Sequence, residues 1–157
     1  MKSLIVYYTR TGNSRYVAET IASQLGADIE EVIDLKKRSG ILGWLSGGKD
    51  AKQGKETEIA PTQKNPADYD LIVIGTPIWA GKPTPAINTY LKKNDLSGKK
   101  VTVFFSKGGK KLQGVDEVKA LTPNSSWVSE ISLISPVKNK EESVRQITEW
   151  CKTLGAK

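Results

Sequence analysis

Leu4-Ile5-Val6-Tyr7-Tyr8-Thr9-Arg10-Thr11-Gly12-Asn13-Ser14 is the stretch that decides the fold of this 157-residue chain. Five apolar β-formers in succession, with no polar alternation, describe a strand buried on both faces, as in a parallel sheet. Thr9 to Gly12 breaks that run. A helix then begins near Asn13 or Ser14, either of which can cap it. Tyr16, Val17, Ile21, Ala22 and Leu25 give this helix one apolar face, and Gly26 stops it. A strand that passes through hydroxyls and a glycine into a helix offers hydroxyl donors and unpaired N–H groups to an anion. The loop lacks both the Gly-Lys-Ser/Thr of nucleoside triphosphatases and the G-x-G-x-x-G of dinucleotide sites, so it suits a small phosphate monoester. From spacing alone, a plain capped turn is an equal reading.

The pattern repeats outward from this stretch. Ala27 to Leu35 alternates weakly and suits a second strand. Residues 36–66 are the least regular part, and one short helix is expected around 41–53. Leu71-Ile72-Val73-Ile74 is a third strand ending at Gly75-Thr76-Pro77. Thr84 to Lys93 is a helix, Lys100 to Phe105 a fourth strand, and Val115 to Leu121 a helix. Trp127 to Ile134 is a fifth strand, and Glu141 to Leu154 a closing helix. Strands alternating with helices five times specify a doubly wound, three-layer α/β sheet with right-handed crossovers. The strand order expected for it is 2-1-3-4-5, one of the common orders of such sheets. The length suits one domain spanning 1–157. In such sheets ligands bind beyond the carboxyl ends of the strands, at the switch in strand order. The loops at 9–14, 76–82 and 106–109 converge there.

Composition narrows the chemistry. There is no histidine and a single cysteine, Cys151. The chain therefore supplies no Ser-His-Asp or Cys-His relay, no histidine-containing zinc site and no four-cysteine cluster. Redox chemistry would need an organic cofactor. Cys151 lies with Ile147, Trp150 and Leu154 on the closing helix and reads as core. The net charge of +7 favours acidic partners. No nucleic-acid motif accompanies it. No apolar run reaches the ~18–20 residues of a membrane span, and a cytoplasmic location is the default.

The second loop, Gly75-Thr76-Pro77-Ile78-Trp79-Ala80-Gly81-Lys82-Pro83, places a tryptophan where it can stack on a flat ring. The third, Ser106-Lys107-Gly108-Gly109, suits close backbone approach to a planar ligand. With Thr9-Arg10-Thr11-Gly12-Asn13-Ser14 and the lead-in Asp95-Leu96-Ser97-Gly98-Lys99-Lys100-Val101, these loops make the chain resemble the flavodoxins over essentially its whole length. The first loop matches the family's phosphate motif, Thr/Ser-x-Thr-Gly-Asn-Thr/Ser.

The resemblance implies bound FMN. Thr9, Thr11, Asn13 and Ser14 would hold the phosphate, with backbone contacts from Arg10 and Gly12. Thr76 would sit near the ribityl chain or phosphate. Pro77, Ile78 and Trp79 would line one face of the ring. Ala80 and Gly81 would approach its central nitrogen, where a peptide rotation in flavodoxins stabilises the semiquinone. Ser106, Lys107, Gly108 and Gly109 would face the pyrimidine edge. The expected function is a monomeric electron carrier passing single electrons between redox proteins with acidic docking faces, with no residue acting as a chemical catalyst. The alternative is an FMN-dependent oxidoreductase acting on a quinone or porphyrinogen.

Two features depart from the family. The third loop has no aromatic residue, so one flavin face is less covered or is covered from elsewhere. The chain is basic, and Lys82, Lys107, Lys110 and Lys111 lie in or beside the ring loops, where they either point to solvent or favour anionic reduced flavin. In the 36–55 excursion, Lys36-Lys37-Arg38 precedes Ile41, Leu42, Trp44 and Leu45. The favoured expectation is that these apolar residues pack on the sheet edge; docking to a partner or a membrane surface is the alternative.

Overall fold

The computed structural model describes residues 1–109 and 113–155. Its centre is β1 (Ser3–Tyr7), every residue of which is buried. Successive side chains point to opposite faces of the sheet. Ile5 and Tyr7 join one apolar core with Val17 and Ile21 of α1 (Asn13–Leu25) and Ile147 and Leu154 of α5 (Lys140–Gly155). Leu4 and Val6 join the other with Ile87 and Leu91 of α3 (Pro85–Lys93) and Val118 of α4 (Val115–Leu121). The unbroken apolar run of the opening stretch is thus explained by helices on both faces.

β1 pairs in parallel with β2 (Asp28–Glu31) on one side and β3 (Leu71–Trp79) on the other, with Ile5 opposite Ile29 and Val73. β3 pairs with β5 (Lys100–Lys107), and β5 with β6 (Ser126–Ile134). The order β2-β1-β3-β5-β6 is the expected 2-1-3-4-5 arrangement. Gly75 is required where β3 lies beside Phe104 of β5, because a Cβ there would lie 2.1 Å from the Phe104 ring.

Three expectations are corrected. The second strand ends at Glu31 rather than Leu35, because the chain leaves the sheet: Leu35 N–H donates to the Glu58 carbonyl, and Ala60 N–H to that of Ile33. The third strand does not stop at Gly75. It runs to Trp79 and turns through Ala80 and Gly81 into a two-residue strand, β4 (Lys82–Pro83), antiparallel to it. Ala80 and Gly81 have φ of 48° and 82°, and two successive positive values are what a type I′ hairpin turn requires. Finally, α2 (Gly40–Lys52) forms where a helix was expected, but its apolar residues do not pack on the sheet. Ile41 is 78% exposed, Leu42 82%, Trp44 60% and Leu45 55%. α2 meets the body instead through Gly43, Gly47, Asp50 and Ala51.

Among the described residues, no helix is long and apolar enough to cross a membrane.

Candidate functional site

The turn from β1 to α1 is held by its own side chains. Gly12 stands at the start of α1 with φ 90°, a conformation that favours glycine, and its N–H donates to Thr9 Oγ1 at 3.0 Å. No side chain caps the helix. Asn13, expected as a possible cap, instead donates from Nδ2 to Thr11 Oγ1 and accepts from the Val137 N–H. Ser14 is fully buried, with its hydroxyl 2.6 Å from that of Ser106. The first N–H groups of α1 have no acceptor within the helix, so an uncapped, hydroxyl-rich N-terminus faces the carboxyl ends of β1 and β3.

Beside this loop lies a crevice of about 220 Å³. Thr9, Arg10, Thr11, Asn13 and Ser14 line its floor. Pro77, Ile78 and Trp79 form one wall, and Ser106, Lys107 and Gly108 another. The three loops therefore converge as the strand order dictates. The remaining predicted residues lie outside the lining. Thr76 is buried, its hydroxyl donating to the Pro77 carbonyl and accepting from the Thr84 N–H. Ala80, Gly81 and Lys82 line a neighbouring groove with Gln113 and Gly114, and Lys82 pairs with Glu117. Gly12 and Gly109 are also outside the lining. Lys110 and Lys111 lie outside the described residues. Lys107 does line the crevice, and partial burial lowers its pKa.

Two crevice residues escaped the sequence reading. Ser135, at φ 44°, follows β6, and its N–H donates to the Lys107 carbonyl. Its position after the last strand's carboxyl end was the available signal. Trp44 reaches the crevice from α2, and nothing in its local sequence separates it from the outward residues beside it.

Trp79 is fixed from behind. The Tyr8 ring meets it edge-on at 5.6 Å, and the Arg38 guanidinium lies 5.8 Å from its centroid. Gly47 of α2 passes so close that a Cβ would sit 2.9 Å from Trp79 Cζ3. Burial pushes the Tyr8 phenol up to about 12, so the ring stays neutral. α2 itself is tied down by charge. Arg38 donates from Nε to Asp34 at 2.6 Å and from Nη1 to Asp50 at 3.1 Å, and Lys36 reaches Asp50 at 2.8 Å. Arg10 links this network to the anion loop, donating to the carbonyls of Arg38 and Gly40. The excursion thus sets the position of the tryptophan wall.

A parallel sheet in this order, with an uncapped anion loop after its first strand and an aromatic-walled crevice beside it, defines the flavodoxin-like class of α/β proteins. The chain belongs to the flavodoxin family, whose profile, described as flavodoxin, matches residues 2–154. Among solved structures it is similar to a flavoprotein from Lactobacillus acidophilus in complex with FMN, with 26% identity, TM-score 0.72, and coverage of 88% of this chain and 97% of that one. It also shares the fold of a flavoprotein from Bacteroides uniformis, at 24% identity and TM-score 0.79, covering 96% and 97% of the two chains. A flavodoxin from Streptococcus pneumoniae has the same fold at 17% identity and TM-score 0.59, over 99% of each chain. No curated protein matches the sequence.

Proposed function

We propose that this chain is a single FMN-binding domain that carries electrons between redox proteins as a monomer. The observation that carries this reading is the uncapped N-terminus of α1, with Thr9, Thr11 and Ser14 around it and Trp79 walling the adjoining crevice. A dianionic phosphate suits that floor: the helix dipole favours it, and hydroxyls and N–H groups can satisfy its oxygens. The crevice, at about 220 Å³, is smaller than a pocket that encloses a whole ligand, which suits the phosphate end of a cofactor whose ring leans on Trp79 at the mouth. The FMN held by the Lactobacillus acidophilus relative supports the same assignment.

When bound, FMN supplies the redox chemistry, and the chain binds, orients and tunes it. The phosphate loop anchors one end. Trp79, braced by Tyr8 and Gly47, offers a fixed face. Lys107, partly shielded from water, brings positive charge to the opposite wall and favours the anionic reduced ring over the neutral one. Lys82, in the neighbouring groove, is paired with Glu117. The basic surface suits electron donors and acceptors with acidic docking faces.

The test is FMN titration followed by stepwise reduction. Stoichiometric binding and two separable one-electron steps are expected, and Lys107→Gln should lower the potential of the second step. Absence of flavin binding would overturn the assignment. Direct two-electron bleaching, with turnover of a quinone or porphyrinogen, would replace the carrier by an FMN-dependent oxidoreductase.

A further inference from the structure

We propose that the outward face of α2 is a docking surface for an anionic lipid bilayer. A surface helix ordinarily turns its large apolar residues inward. α2 does the reverse. Gly43, Gly47 and Ala51 face the body, while Ile41, Leu42 and Leu45 stand more than half exposed. Gly43 and Gly47 cannot be enlarged, because a Cβ would meet the Arg38 backbone at 2.2 Å or the Trp79 ring at 2.9 Å. Close packing on this side therefore forces the bulky side chains to the other. The result is a contiguous exposed apolar patch of the kind that marks an interaction site.

Charge identifies the occupant. Residues 36–55 hold five exposed lysines and one acidic residue, while the sixth basic residue, Arg38, is buried against Asp34 and Asp50. The single carboxylate, Asp50, is turned inward and bound by Arg38 and Lys36. Lys37, Lys49 and Lys52 are exposed along the same excursion. Leucine and isoleucine side chains framed by lysines, with no outward carboxylate in the segment, match an interfacial helix on anionic headgroups. The helix surface is convex, and Ile41, Leu42 and Leu45 line neither the crevice nor the grooves beside it, which favours a deformable bilayer over a shaped protein cleft. Trp44, on the flank of the same helix, lines the crevice. Docking through α2 therefore sets the crevice beside the bilayer surface.

The test is sedimentation of the full chain with vesicles of phosphatidylcholine alone or mixed with phosphatidylglycerol. Binding is expected to the mixed vesicles and not to neutral ones. It should weaken about tenfold in the Ile41→Ser/Leu42→Ser variant, and by a similar factor in Lys49→Gln/Lys52→Gln. Failure to bind the mixed vesicles would overturn the proposal. So would unchanged binding of the serine variant, since net charge alone would then explain adhesion. If vesicles are ignored and the same variants slow electron exchange with an acidic redox protein, the patch docks protein and the lipid assignment falls. A parallel FMN titration reports separately on the cofactor, so vesicle binding without flavin would leave this inference standing and defeat the proposed function.

Discussion

Helices α5 and α2 bury residues at the same spacing and attach to the sheet by opposite means. α5 buries Ser143, Ile147, Trp150, Cys151 and Leu154; α2 buries Gly43, Gly47, Asp50 and Ala51. Positions i, i+4, i+7 and i+8 face inward in both. In α5 three of those four positions hold apolar side chains, Ile147, Trp150 and Cys151, with each large one worth about 1.5–3 kcal/mol when removed from water. In α2 they hold two glycines, an alanine and an aspartate, so hydrophobic burial contributes little. What holds α2 is the charge network of Arg38, Asp34, Asp50 and Lys36, together with close backbone approach. A helical period therefore states which positions face inward, and the chemistry at those positions states what the outward face is left to do.

The largest test of this contrast is a matched pair of substitutions. Ile147→Ala opens a cavity in a fully buried core and should lower unfolding free energy by about 2–5 kcal/mol in urea titration. Ile41→Ala removes a similar side chain from an exposed position and should change it by no more than about 0.5 kcal/mol. Comparable costs would mean that α2 packs on something through its apolar face. Cys151 belongs with Ile147: it packs in the same core, and burial pushes its thiol up to about 11.

A smaller effect probes the charge network. The hydrogen bond from Lys36 holds the Asp50 carboxyl below its ordinary value; burial opposes this and Arg38 reinforces it. A carboxylate with a depressed folded pKa gives stability that is fully present above the unfolded value and is lost as pH falls through the folded one. Amides of residues 40–52 should therefore lose hydrogen-exchange protection as pH falls below about 4, with the α5 amides retaining theirs. Asp50→Asn should show that loss already at neutral pH, by roughly 1–3 kcal/mol. This is less than for a fully buried pair, because Lys36 is half exposed. A uniform loss across both helices would show that α2 and the sheet unfold as one unit.

The same contrast explains how much was legible in the sequence. The buried parallel strands followed from the apolar runs of β1 and β3, and α5 followed from its period. The crevice floor at Thr9 to Ser14 was legible because the loop sits between a strand and a helix that both declare themselves. Three things were not. The Ala80-Gly81 hairpin depends on β3 running past Gly75, and its turn carries only one of the two glycines that would have flagged it. The early end of β2 depends on pairing with residues 58–60, which no local pattern encodes. The outward face of α2 was hidden because apolar residues on a helix are ordinarily core, and only the tertiary closeness of Gly43 and Gly47 reverses that.

The smallest effect concerns Trp44, where the two regimes meet. It belongs to the helix whose apolar residues face out, yet it lines the same crevice as Trp79. The third loop, Ser106 to Gly109, has no aromatic residue, and α2 places an indole at the rim instead. A single aromatic contact contributes about 0.5–1.5 kcal/mol beyond its area, so Trp44→Ala should weaken FMN binding about two- to tenfold in a fluorescence titration. Trp44→Phe should recover much of the loss, and Leu42→Ala, two residues away on the helix and 82% exposed, should show none. Thermal unfolding of the unliganded Trp44→Ala protein should be nearly unchanged, because the side chain is 60% exposed. Unchanged FMN affinity in Trp44→Ala would assign Trp44 to the outward patch with Leu42. The excursion would then serve the crevice only by bracing Trp79 through Gly47 and Arg38.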